Sequence, residues 1–479
     1  MEKNNKKTKI QYVGALLLTI IMCVCLLFGG CSIGNTKTIT SIEKTGSSGL
    51  TDTYTITYSD GSTYNFYVEN GKDGKDAASP TIQEIYNQYV ALYGEISFAD
   101  FLQMYLKTDN VDNSAVINQC LQSCLKIYTE FAVTSTSGWP YQTSTKAVSI
   151  SCGSGVVYQI DNDYTYILTN YHVVYSASAN ADNGGNIAKN IHGYLYGSDG
   201  TPTETSQTNN GYKVYDYGDY AIEFEYVGGS VNYDIAILKA KTSDVVAINE
   251  NVKAVTLADS YHVGQTAIAI GNPENEGISA TEGIVSVDNE FINLNIDGTT
   301  RSYRSIRIDT AIYEGSSGGG LFNSRGELIG LTNAGDNDDQ NVNYAIPLDI
   351  VKNVVNNIMR NYDGTTASTV KKPKFGVTID TSNSKYVYDE TTGYGYIKET
   401  ISVDSVTTGS IFDTLSLQAG DVLVSIVVND NEITLNRYYE IDNVLLQLRA
   451  NDTVSIKYKR AGETAQTDKY TIVANDFVS

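Results

Sequence analysis

At 479 residues the chain is too long for one ordinary core, and about two to four domains is the expectation. With 41% hydrophobic and 18% charged residues it reads as globular, and six prolines beside 41 glycines and 37 tyrosines point to many strands and turns. The formal net charge of −22 excludes nucleic acid as a partner, because phosphate binding needs a basic face; the acidity reads as a soluble surface.

Lys3, Lys6, Lys7 and Lys9 precede the apolar run YVGALLLTIIMCVCLLFGG, which ends at Cys31. A basic start, an apolar stretch and small residues before a cleavage point mark residues 1–31 as a secretory signal. The segment LLFGGCS resembles a bacterial lipobox, with Phe28 where Leu is usual. That resemblance implies cleavage before Cys31, lipidation of Cys31 and anchoring to the outer face of the cytoplasmic membrane. The competing reading is an uncleaved transmembrane helix, since about 19 residues can just span a bilayer. Cys23 and Cys25 leave with the signal, and Cys120, Cys124 and Cys152 remain. Cys120 and Cys124 would share a face of a predicted helix at a spacing awkward for a disulfide, so buried thiols are expected. No zinc spacing is visible, and neither a metal nor a cofactor is expected.

Residues 32–76 read as a tether followed by a β-hairpin. SIGNTKTITSIEKTGSSGL (32–50) is polar, whereas Thr53–Gly71 alternates aromatic or β-branched residues with polar ones on both sides of Asp60-Gly61. GKDGKD is a linker. Residues 77–135 read as helical: Ile82, Ile85, Tyr86, Tyr89 and Val90 recur at three- and four-residue spacings, and DNSAVINQCLQSCLKIYTEF repeats the pattern from Asn113 or Ser114. From 140 to 362 short β-rich runs separated by Gly, Asn and Asp turns indicate an all-β sandwich or barrel, closed by a helix over IPLDIVKNVVNNIMRNY. Residues 363–374 read as a linker, and 375–479 as a final mixed domain.

Three histidines make the search for a general base short. His192 lies in a Gly/Asn-rich stretch and His262 in a polar turn, while His172 in TNYHVV directly follows an apolar strand. A lone histidine is usually structural, although its pKa suits it to proton transfer near neutrality. Asp234 opens the apolar strand YDIAILKA, where a carboxylate would be partly buried and in need of a partner. YEGSSGGGLFN (313–323) admits three readings: a linker, a phosphate loop, or the backbone around an activated serine. The apolar strand ELIGLTNA follows at once, and no Lys-Ser/Thr pair or helix opens after the glycines, which disfavours the first two. Glycines also let successive N–H groups converge, as an oxyanion hole requires.

TNYHVV, YDIAILK and IDTAIYEGSSGGGLFNSRGELIGL, in that order, resemble the three catalytic blocks of trypsin-like serine proteases of the HtrA/DegP group. AIGNPENEGISATEGIVS and NVNYAIPLDIV resemble that group's connecting segments. The resemblance implies a mainly β chain: a chymotrypsin-like double β-barrel followed by a PDZ domain of α+β type. It implies His172 as base, Asp234 as orienting carboxylate and Ser317 as nucleophile, with Gly315, Ser316 and Ser317 giving oxyanion-hole N–H groups. Ser316 stands where the group usually has Asn, and Gly320 where it has Pro. His172 and Asp234 are 62 residues apart, a long gap for the group, so 175–213 reads as a surface loop or added hairpin.

The same mapping implies a substrate pocket formed by Ala311, Ile312, Asn343, Tyr344 and Ala345, with Leu331, Thr332, Asn333 and Ala334 as the edge strand that pairs with substrate. No acidic residue attracts Lys or Arg there, so cleavage after small or medium apolar residues is expected. The acidic run DNDDQ (336–340) reads as a solvated loop. TTGSIFDTLSLQAGDVLVSIVVNDNEI and DTVSIKYKRAG resemble PDZ sequences, which implies that Phe375, Gly376 and Val377 capture a peptide C-terminus. The expected function is therefore a surface-anchored endopeptidase of misfolded or extracytoplasmic proteins, with polypeptides as partners. The group's precedent for assembly is a trimer. A catalytically idle, peptide-binding chaperone on the same fold is the alternative, and a surface adhesin would leave the three blocks unexplained.

Overall fold

The computed structural model describes residues 39–48, 51–59, 61–69, 82–94, 113–137, 143–179, 185–198, 200–335, 339 and 341–478. The signal segment, Cys31 and most of the 336–340 run lie outside them. The chain divides into two units, 1–108 and 109–479.

In the first unit, β1 (Ile39–Ser48), β2 (Thr51–Tyr58) and β3 (Thr63–Glu69) form an antiparallel meander, followed by helix α1 (Ile82–Tyr93). The β2–β3 pair is the expected hairpin. The segment read as a polar tether is strand in its second half, however: β1 pairs with β2 from Ile39↔Tyr58 to Ser48↔Thr51. Its Thr and Ser side chains find cross-strand partners, such as Thr45 with Thr55 at 2.6 Å, which apolar periodicity cannot reveal.

The second unit opens with α2 (Ser114–Leu121). The helix expected to run on to Phe131 stops there, and β4 (Cys124–Ser137) follows as a strand. Both faces of β4 are buried between Leu125 and Ala132, so no polar alternation marks it as a strand; its Ile, Tyr, Thr, Phe and Val content carries the β preference. Cys120 and Cys124 consequently sit on a helix and a strand, both as free buried thiols. Burial pushes Cys120 up to about 11 and raises Cys124 further, aided by Cys120.

The first sheet is completed by β5 (Thr143–Ile160), β6 (Tyr164–Thr169), the one-turn helix α3 (Tyr171–Val174), β7 (Asn190–Leu195), the outlying hairpin β8 (Thr203–Asn209)–β9 (Tyr212–Asp216), β10 (Ile222–Glu223), β11 (Glu225–Ser230) and β12 (Ile235–Lys241). Its order is β10-β7-β4-β5-β6-β12-β11. The stretch 175–213 is thus only partly an added hairpin. β7 is an inner strand, paired with β4 from Leu125↔Leu195 to Glu130↔Asn190, and Tyr194 on it is fully buried.

After α4 (Thr242–Ile248), the second sheet takes β13 (Thr256–Leu257), β14 (Thr266–Gly271), β15 (Ser279–Asn295), β16 (Thr300–Ile308), β17 (Gly320–Phe322), β18 (Glu327–Gly335) and β19 (Asn343–Pro347). Its order is β13-β18-β17-β14-β15-β16-β19, and a further β18–β19 pairing closes six of these strands into a barrel. Closure removes the exposed edges that an open sheet would leave. One apolar cluster lies inside each sheet, and a third joins them: Val156, Leu168, Ile235 and Ile237 meet Ile268, Ile270, Phe322 and Leu331. The fold is mainly β and trypsin-like, with the active-site candidates on loops at the seam of the two sheets.

Helix α5 (Leu348–Asn361) covers the seam. The segment expected to be a plain linker is instead bonded along its length: Ser368 bridges to Gly228, Val370 is buried, and Lys371 N–H donates to Asn357. Beyond β20 (Lys372–Pro373), a separate core of Phe375, Phe412, Ile426, Ile456 and their neighbours holds β21 (Val377–Asp389), β22 (Tyr394–Val406), α6 (Ile411–Thr414), β23 (Val422–Val428), β24 (Asn431–Thr434), α7 (Glu440–Gln447), β25 (Thr453–Arg460), β26 (Glu463–Gln466), β27 (Tyr470–Thr471) and β28 (Phe477–Val478). In its main sheet β21 is the edge strand.

Candidate active site

His172 stands on α3, a single turn opened by Asn170 after the buried strand β6. Its Nδ1 lies 2.8 Å from Asp234 Oδ2, and its backbone N–H donates to Asp234 Oδ1 at 2.9 Å. Asp234 is fully buried and the imidazole is about one-third exposed. Burial by itself depresses the imidazole pKa; the Asp234 charge and hydrogen bond outweigh it, and the net shift is upward. The other two histidines have no such partner. His192 stacks on Tyr217 and His262 on Tyr394, and burial lowers both.

The loop bearing Ser317 is fixed through its carbonyl groups. Tyr313 O accepts from Ser316 N–H at 3.0 Å, Glu314 O from Glu274 N–H at 2.7 Å, and Ser317 O from Ser154 N–H at 2.8 Å. Ser154 Oγ donates to Gly315 O at 2.8 Å, and Thr332 Oγ1 to Ser316 O at 2.6 Å. In a trans peptide the N–H points opposite the C=O, so anchoring Glu314 O on one side turns Gly315 N–H to the other. Gly315 has φ +91°, and a Cβ there would lie 2.4 Å from Asn272 O. Among the described residues the N–H groups of Gly315 and Ser317 donate to no protein acceptor. The expected third donor, Ser316, instead gives its N–H to Tyr313 O in closing the turn. Two donors on one loop with no partner suit an acceptor that gains negative charge.

Ser317 is partly exposed, and its Oγ donates to Asn333 O at 3.1 Å. The loop abuts the His172 segment: a Cβ at Gly318 would lie 2.3 Å from Thr169 Oγ1 and 3.0 Å from Asn170 N. The pocket and edge-strand residues divide. Leu331 is a core residue whose backbone faces Gly320 on one side and Ile346 on the other, and Ala345 is buried between Ile306 and Thr332. Thr332 exchanges both backbone bonds with Gly318 and Gly319. The main chains or side chains of these three are thus already engaged within the sheet. A bulge between Thr332 and Ala334 leaves Asn333 out of the β19 pairing; Asn333 itself is buried, Ala334 is half-buried and Gly335 is exposed. Ile312 and Asn343 are buried, Ala311 and Tyr344 half-buried. Ser154, Asn272 and Glu274 were missed; the signal for the first was the small-residue run CGSG on an apolar strand, where a Cβ at Gly153 would strike Val173 at 2.7 Å.

In the C-terminal unit, Phe375 is buried against Phe412, with ring centroids 4.8 Å apart. Gly376 has φ +70°, and a Cβ there would meet Ser410 at 2.2 Å. Among the described residues neither Phe375 N–H nor Gly376 N–H donates to the protein, and Val377 opens the edge strand β21.

Residues 153–331 match the model of the trypsin-like peptidase domain. The chain is 28% identical over 334 residues to the serine protease Do-like HtrA of Lactococcus lactis subsp. cremoris, covering 65% of this chain and 69% of that protein. It is 31% identical over 250 residues to the serine endoprotease DegS of Haemophilus influenzae, covering 51% of this chain and 64% of that one. A solved HtrA-type protease, AlgW with a decapeptide, aligns at a TM-score of 0.46 and 22% identity, covering 76% of this chain and 99% of that chain.

Proposed function

We propose that this chain, a serine endopeptidase that belongs to the HtrA/DegP-type trypsin-like serine proteases, cleaves misfolded or extracytoplasmic polypeptides through Ser317, His172 and Asp234. The observation that carries the assignment is the doubly bonded Asp234–His172 pair beside a serine loop whose carbonyls from Tyr313 to Ser317 each accept a hydrogen bond. In the reaction Ser317 Oγ leaves Asn333 O, turns to the imidazole and attacks the scissile carbonyl as His172 takes its proton. Gly315 and Ser317 N–H groups hold the oxyanion, and buried Asp234 stabilises the imidazolium. His172 then protonates the leaving amine, and water, deprotonated by the same imidazole, releases the acyl group. Asn333 and Ala334 pair with the substrate backbone, and a pocket without carboxylates near Ile312 takes small or medium apolar side chains.

The finer features belong to the same reading. Phe375, Gly376 and Val377 bind a peptide C-terminus while the peptide adds to β21, supported by the two undonated N–H groups and the open edge. Cys31 carries the lipid that holds the body outside the cytoplasmic membrane, on the strength of the lipobox-like LLFGGCS, and the assembly is a homotrimer as in the group.

The deciding experiment compares casein digestion by wild type and Ser317→Ala, with fluorophosphonate labelling of both. Digestion and labelling by wild type alone is expected. Absence of both from wild type across temperatures and added C-terminal peptides would overturn the enzyme and leave the idle chaperone.

A further inference from the structure

The turn that carries Asp234 is held from outside the two protease sheets. Asp234 has φ +54°, a left-handed conformation that a non-glycine residue keeps only where its surroundings fix it. Two restraints come from the protease sheets: Asn170 Nδ2 donates to Asp234 O at 3.0 Å, and Tyr303 Oη to Val231 O at 2.7 Å. A third comes from the C-terminal unit and acts on Tyr233, the residue before Asp234. Tyr233 Oη donates to Asp442 Oδ2 at 2.7 Å and accepts from Lys372 Nζ at 2.6 Å, and Lys372 also pairs with Asp442. Asp442 lies on α7 and Lys372 on β20. The segment leading into that unit braces the same turn from its other end. Gly229 N–H donates to Ser368 O at 3.0 Å and Ser368 N–H to Val227 O at 2.9 Å. A Cβ at Gly228 would lie 2.2 Å from Ser368 O, so the approach needs glycine.

We infer that Tyr233 is a positioning residue for Asp234, and that the C-terminal unit, through Asp442 and Lys372, completes the support of the catalytic carboxylate. This rests on the triad reading above. Both bonds at the phenol tip have a charged partner, the stronger kind of hydrogen bond, so the tip is tied down at two points. With its ring tied, Tyr233 cannot follow a rotation of the turn, and the backbone entering Asp234 is held. Without the tie the carboxylate no longer keeps both of its bonds to His172. The imidazole then loses orientation in the transition state, and it loses the charge that raises its pKa. Asp234 is the ionisable group acting on His172, so no other neighbour replaces it.

The test uses the full chain and a fluorogenic peptide, with Tyr233→Phe, Asp442→Ala and the double variant, folding being checked by circular dichroism. A loss on the order of 10- to 100-fold in kcat at unchanged KM is expected for each single variant. The acid limb of kcat/KM moves to lower pH, and the double variant is no worse than either single one. Activity within twofold of wild type for Tyr233→Phe, with Asp234→Asn inactive, would overturn the inference. A loss that leaves the acid limb in place would also overturn it, because a smaller folded fraction scales the profile without shifting it. Turnover retained by Asp234→Asn is a different result: it removes the triad reading, and this inference with it.

Discussion

At the residue scale, the site is an arrangement of anchored acceptors around two unanchored donors. His172 gains its basicity from Asp234 against the effect of its own burial, which sets the sign of the pH dependence. On the proposed mechanism catalysis needs the neutral His172 imidazole, so activity is expected to fall as pH drops through a pKa that lies above the ordinary histidine value of about 6.5. The acid limb of kcat/KM should therefore be centred above that value, and a limb at or below it would show that Asp234 does not govern His172. Ser154 is the other residue with a sharp consequence. Its hydroxyl donates to Gly315 O and accepts from Asn272 N–H at 2.8 Å, and the side chain is buried. Ser154→Ala leaves both groups unpartnered, at a cost of about 1–3 kcal/mol. Freed of that bond, the Gly315 peptide can turn, and a fall in kcat of about 10-fold with KM little changed is expected from steady-state kinetics.

At the element scale, α5 and α7 decide how the C-terminal unit attaches. Asn357 on α5 is fully buried; its Nδ2 donates to Leu446 O at 2.8 Å and Lys371 O at 2.9 Å, and its Oδ1 accepts from Lys371 N–H. Arg360 donates to the carbonyls of Leu446, Gln447 and Leu448, the acceptors left over at the end of α7. Asp349 accepts from Asn443 and pairs with Arg304 of the second sheet. Asn357→Ala strands several of these groups at once and should lower unfolding free energy by about 1–3 kcal/mol, seen as a lower denaturant midpoint at constant slope. Periodicity made α5 legible, because it buries one stripe, and short apolar runs bounded by turn residues did the same for β12, β14 and β18, which are buried on both faces. These signals failed for β4, which no Gly, Pro, Asn or Asp separates from α2, and for β1 and residues 363–371, which are held largely by backbone and side-chain hydrogen bonds, Val370 being the buried apolar exception.

At the scale of the whole molecule, residues 109–479 form one compact unit although the C-terminal core is separate from those of the protease sheets, because hydrogen bonds of Asn357, Arg360 and Asp349 join them and Leu446 of α7 packs into the seam cluster. Calorimetry of the chain should then show the protease sheets and the C-terminal unit melting in one transition, which Asn357→Ala moves to lower temperature without splitting it. The proposed lipid anchor is tested at this scale as well. Cys31→Ala is expected to move the protein from the detergent phase to the aqueous phase on Triton X-114 partition without changing peptide turnover. If the variant stays in the detergent phase, the membrane contact lies elsewhere in the chain.

The sequence by itself determined the candidates, since a histidine after an apolar strand, a strand-opening carboxylate and a serine among glycines are properties of residue type and order. The resemblance to the HtrA/DegP group then singled out His172, Asp234, Ser317 and Gly315. Tertiary structure alone decided which N–H groups remain undonated, which strand residues are already paired, and what holds Asp234 in its left-handed turn. Those outcomes depend on partners far away in the chain, such as Ser154 for Gly315 and Asp442 for Tyr233, and no local pattern encodes a hydrogen bond between residues more than a hundred positions apart.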